Sequence, residues 1–120
     1  MKLYLNEKQR NVVLEILRAS ENNATEGKDA ELALQFQYLY NKIKPTNAAY
    51  VSLNRDEAEA IVEFCEIVRK SLDTAMDFIN TKSDKSEEEK EELRKETTGY
   101  LGEVNDVINQ LQDKIRNNPV

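Results

Sequence analysis

The sequence predicts an all-α fold, a four-helix bundle built from two helical hairpins. Three observations carry this expectation. Apolar residues recur at helical spacing in four separate segments. Three of those segments open with a capping-box pattern, a polar N-cap followed three residues later by Glu or Gln. The 120 residues hold only three glycines and two prolines, so the segments are long and their breaks few.

The first helix is expected from Glu7 to Asn23. Val12, Val13, Ile16 and Leu17 form its apolar stripe, Asn6 is its N-cap and Gln9 completes the box. Asn22-Asn23-Ala24-Thr25 and Gly27 mark its end. The second helix is expected from Lys28 to Lys44. Leu32, Phe36, Leu39 and Ile43 step by four, three and four, which makes one seam along a helix. Leu32, Leu34, Phe36, Tyr38 and Tyr40 also alternate as a strand would. Length, Ala30 and Ala33, and the lack of an internal turn residue favour the helix, and Pro45 stops it.

The third helix is expected from Arg55 to Asn80, capped by Asn54 with Glu57. Ile61, Phe64, Val68, Leu72, Ala75 and Ile79 form its seam, with Cys65 and Met76 beside it. The fourth is expected from Glu87 to Asn117, capped by Ser86 with Glu89. Its stripe runs Leu93, Thr97, Tyr100, Val104, Val107, Leu111 and Ile115. Gly99 and Gly102 lie inside it and mark a kink, a close approach by a neighbouring helix, or a break that folds the helix back. The polar run from Lys82 to Glu96 begins with a loop, Lys82 to Lys85, and continues as a solvated helical section.

Residues 3–17 and 51–65 align without gaps at an offset of 48. Leu3-Tyr4-Leu5-Asn6 matches Val51-Ser52-Leu53-Asn54, and the helices that follow keep the same apolar register. Lys42-Ile43-Lys44-Pro45 likewise resembles Lys114-Ile115-Arg116 with Pro119 beyond. One domain, 1–120, is therefore expected to contain two hairpin repeats, 1–45 and 50–117, with a short helix pair over 7–44 and a long pair over 55–117. Segments 2–5 and 50–53 are candidates for a minimal two-stranded ribbon.

The short helices reach about 25 Å and the long ones about 40–45 Å. The far end of the long pair should then stand uncovered, carrying Met76, Phe78, Ile79, Leu93 and Tyr100. An exposed apolar stripe normally meets a partner, and a second copy of the chain is the simplest one.

Composition limits the chemistry. The net charge is −6, from 23 acidic and 17 basic residues, which repels phosphate backbones in general. With no histidine, the commonest general base and metal ligand is missing. The single Cys65 rules out an intrachain disulfide and sits on an apolar helix face, where a core role is expected. Gly27, Gly99 and Gly102 form no phosphate-binding loop, and neither Glu-x-x-His nor EF-hand spacing occurs. No cofactor, metal or enzymatic activity is expected. Glu15 and Glu63 hold equivalent places in the repeat and are expected on the surface.

No run of 18 apolar residues exists, so no membrane span is expected. The stretch Met1–Lys8 lacks a signal-peptide core, which makes the cytoplasm the expected compartment. DNA binding is disfavoured. The Asn22–Gly27 link is long for a helix-turn-helix, basic and aromatic residues are not interleaved, and only Lys42, Lys44 and Arg55 suggest a small basic patch.

The leading expectation is a non-enzymatic helical protein-interaction module, either homo-oligomeric or docking helix on helix. One alternative is an acidic phosphate mimic that inhibits a nucleic-acid-binding protein through a face including Glu88, Glu91 and Glu92. Lys85, Lys90, Arg94 and Lys95 dilute that face. A DNA-binding regulator is the other. The Lys/Glu/Asn bias and the apolar-x-Leu-Asn lead-in to a helix resemble, in style, small accessory proteins of low-GC Gram-positive bacteria and their prophages. The resemblance covers no diagnostic motif and transfers no residue role.

Overall fold

The computed structural model describes residues 1–45, 50–81 and 84–117. In chain order it contains strand β1 (Lys2–Tyr4), helices α1 (Glu7–Glu26) and α2 (Ala30–Ile43), strand β2 (Tyr50–Ser52), and helices α3 (Arg55–Thr81) and α4 (Glu87–Asn117). α1 packs on α2 and α3 packs on α4; α1 also lies against both α3 and α4, which joins the hairpins. This is the all-α bundle with a minimal ribbon that the periodicity predicts.

The caps form as their spacing requires. Asn6 Oδ1 accepts from the Gln9 amide at 2.8 Å while Gln9 Oε1 accepts from the Asn6 amide at 3.2 Å. Asn54 and Glu57 make the same exchange at 2.8 and 2.9 Å. At α4, Ser86 Oγ accepts from the Glu89 amide at 3.3 Å. The two reciprocal exchanges and the one-way Ser86 cap satisfy amides that a helix start otherwise leaves unpaired.

Several boundaries and one conformational expectation need correction. α1 continues through Asn22–Thr25 to Glu26, because Ala24 is buried and the Thr25 hydroxyl donates to Glu21 O at 2.9 Å. α2 starts two residues later than expected, since Lys28 takes a φ of 61° and Asp29 caps the helix through the Leu32 amide at 3.1 Å. α4 runs unbroken through Gly99 and Gly102, and a Cβ at either would meet nothing within 4 Å, so neither marks a break or a close approach. Lys82, Ser83 and Pro119 lie outside the described residues.

Leu32–Tyr40 is helical, and the structure separates the alternating residues by face. Phe36 and Leu39 are buried while Leu34 and Tyr38 are exposed. Phe36, Leu39 and Ile43 join Val13, Ile16 and Leu17 of α1, Ile61 and Cys65 of α3, and Val104, Val107, Ile108 and Leu111 of α4 in one core. Fully burying an aliphatic side chain of this size contributes about 1.5–3 kcal/mol, so this seam dominates over the weak helix propensities.

β1 and β2 pair antiparallel with Leu3 opposite Val51, and both side chains point into the core. The same two residues correspond at the offset of 48. A local two-fold through this pair therefore relates the two lead-ins, placing Lys2 against Ser52 and Tyr4 against Tyr50. Met1 extends the ladder: its nitrogen donates to Leu53 O at 2.7 Å and its carbonyl accepts from the Leu53 amide at 2.8 Å.

Candidate interaction site

α2 and α3 touch where the Phe36 and Phe64 rings meet, with centroids 4.2 Å apart and planes tilted by 51°. Around that contact α1, α2 and α3 together line an open groove of about 600 Å³. Leu32 and Phe36 line it from α2; Ala60, Phe64, Ile67 and Val68 line it from α3. Asn23, Asp29, Gln35 and Glu63 contribute polar groups to the lining. Ser20 and Ala24 of α1, and Gly27 after it, also line the groove. The short hairpin turns at Gly27, and α3 continues for about 20 Å beyond Val68.

The expected partner-binding residues divide. Phe78 is 56% exposed, whereas Ile79 is only 7% exposed and is buried within the chain, so it is corrected from surface to interior. Met76 and Leu93 are half-buried. Tyr100 belongs to the body of the bundle, packed against the core beside α1. Burial, then the Glu15 carboxylate facing its hydroxyl, pushes the Tyr100 pKa up to about 12. The overhang is thus narrower than helix lengths imply, because α3 and α4 cover one another.

Glu88, Glu91 and Glu92 are exposed on α4. Glu91 accepts from Arg94 at 3.2 Å, and Glu87 lies 3.6 Å from Lys90. These pairs set Lys90 and Arg94 against two of the carboxylates of that stretch. Glu15 and Glu63 are both exposed. Cys65 is buried, and its thiol is pushed up to about 12 by burial and by the Glu66 carboxylate, which keeps it protonated near neutral pH. Among the described residues no group of three metal-ligating side chains occurs. Among them, too, no helix is long and apolar enough to cross a membrane.

Two features escaped the sequence reading. Ile67 is 59% exposed and lines the groove, although it lies off the α3 seam; an apolar residue off the buried stripe was the available signal. The second is an exposed aromatic and basic face on the ribbon. Tyr4 and Tyr50 sit 5.7 Å apart, with Lys2 4.6 Å from the Tyr50 ring and Lys114 4.9 Å from the Tyr4 ring. Strand pairing brings Lys2, Tyr4 and Tyr50 together there, and α4 adds Lys114.

No protein-family model, curated protein or solved structure matches the chain. The site is therefore read from its own residues.

Proposed function

We propose that this chain is a non-enzymatic, cytoplasmic protein-interaction module that receives an amphipathic helix in the groove between α2 and α3. The observation that supports this reading is the groove itself, an open trough of about 600 Å³ with the Phe36–Phe64 pair in its lining. That volume matches one or two large apolar anchors, the usual content of a helix-in-groove contact. Asp29 and Glu63 among its lining residues favour a partner helix whose apolar stripe is flanked by Lys or Arg.

The test is affinity capture from source-cell lysate on immobilised wild-type chain and on Ala60→Trp, which fills the groove. The expected result is a protein retained by the wild type and lost from the variant, with unchanged helical circular dichroism. Identical capture by both would remove the groove as the binding surface.

A further inference from the structure

The outer face of α3 reads the same in both directions. Ile67, Ser71, Thr74 and Phe78 step by four, three and four, so they fall on one helix face, and all four are exposed. The order is large, small, small, large, and its midpoint lies between Leu72 and Asp73. The two central hydroxyls are turned back onto their own helix: Ser71 Oγ donates to Ile67 O at 3.2 Å and Thr74 Oγ1 to Lys70 O at 3.1 Å. The centre of the stripe therefore presents small side chains whose polar hydrogens are already satisfied, a surface that a second helix can approach closely.

We infer that a second copy of this chain occupies this face, with the two α3 helices antiparallel about a two-fold axis. In that arrangement Ile67 of one copy meets Phe78 of the other, twice over, while Ser71 and Thr74 sit at the close crossing. This is the isologous contact expected of a homodimer. Charge supports the same occupant. Lys70 and Asp77 lie on one flank of the stripe, both exposed, and in antiparallel helices like flanks face each other. The two-fold then sets each Lys70 against the other copy's Asp77. A parallel pairing or an unrelated helix gains neither match. The inference rests on the reading of the chain as an interaction module and shares Ile67 with the groove lining, whereas Phe36 and the α2 side of the groove take no part.

The stripe is short, so the dimer belongs with weak, transient interfaces. Sedimentation velocity of the full chain over about 1–200 µM should show a monomer–dimer equilibrium within that range. Phe78→Glu and Ser71→Arg should each shift it to monomer with unchanged circular dichroism. Lys70→Glu alone and Asp77→Lys alone should each weaken association severalfold, and the double reversal should restore it. A wild type that stays monomeric throughout overturns the inference, as does a dimer indifferent to Phe78→Glu or a double reversal no better than the singles. The Ala60→Trp variant should dimerise as the wild type does, so groove binding and self-association succeed or fail separately.

Discussion

Gln110 holds Tyr4 through a two-point amide contact: the Tyr4 amide donates to Gln110 Oε1 at 2.6 Å and Gln110 Nε2 donates to the Tyr4 carbonyl at 2.8 Å. The reason lies in the ladder. Met1 and Leu53 exchange both backbone bonds, so alternation along an antiparallel pair leaves the Tyr4 groups pointing away from β2. Gln110, 106 residues further along the chain, supplies the pairing that a third strand would otherwise give. Gln110→Ala should cost about 1–2 kcal/mol, two modest hydrogen bonds at a partly solvated site. Urea titration measures the loss, and amide exchange should accelerate at Tyr4 well beyond its change in the core of α1.

Arg10 should be less replaceable. Its side chain is only 6% exposed, and Nη1 donates to Ile43 O at 2.7 Å and Pro45 O at 2.5 Å. It thereby ties α1 to carbonyls at the C-terminus of α2, where a cation also opposes the helix dipole. Arg10→Met keeps much of the volume and removes the donors, and should destabilise by about 2–3 kcal/mol because those bonds involve a charged group. Thermal unfolding should show that loss; a change within about 0.5 kcal/mol, the range of an ordinary surface substitution, would contradict this role.

Stability should fall at both extremes of pH, for separate reasons. Lys42 Nζ lies 2.8 and 3.0 Å from the two Glu57 oxygens. Burial alone would raise the Glu57 pKa, but Lys42 and the Asn54 amide outweigh it and hold the carboxyl below its ordinary 4.5. A lowered carboxyl contributes above its unfolded value, and the contribution is lost as pH drops through the folded one. Glu57→Gln should flatten the acid limb below about pH 4.5. On the alkaline side, Cys65 and Tyr100 are each raised to about 12, from 9.0 and 10.0. Raised groups favour folding fully below their unfolded values and lose that contribution upward, so stability should decline from about pH 9 towards 12. Cys65→Ala combined with Tyr100→Phe should reduce that slope, as read by urea midpoints across the range.

Gly99→Ala and Gly102→Ala should stabilise the protein. Both sites are exposed within α4, and an added Cβ at either meets nothing within 4 Å. Each substitution should gain up to about 1 kcal/mol, and the double close to their sum if the sites act independently. A higher urea midpoint with unchanged slope is the expected readout.

Much of this architecture was legible in the residues. The caps at Asn6, Asn54 and Ser86 are local chemistry, and the seams Phe36–Leu39–Ile43 and Val104–Val107–Leu111 follow directly from helical spacing. Local spacing could not show which apolar residues a neighbouring helix would cover. Ile79 and Phe78 are adjacent in sequence and similarly apolar, yet α4 leaves one buried and the other half open. Arg10 was hidden for the same reason, since its acceptors lie 33 and 35 residues away. Gly99 and Gly102 left a break and a close approach open in the sequence, and only their surroundings in α4 remove those two.

The clasp between β1 and β2 has a consequence for how the chain acquires its shape. Each helical hairpin closes between neighbours in sequence, whereas the clasp joins Leu3 to Val51 and fastens Tyr4 to Gln110 near the far end of the polypeptide. Closing so wide a loop carries an entropic penalty that nearby contacts avoid. The hairpins should therefore zip early and independently, with the clasp setting last, so substitutions at Leu3 or Gln110 should speed unfolding and leave the refolding rate nearly untouched.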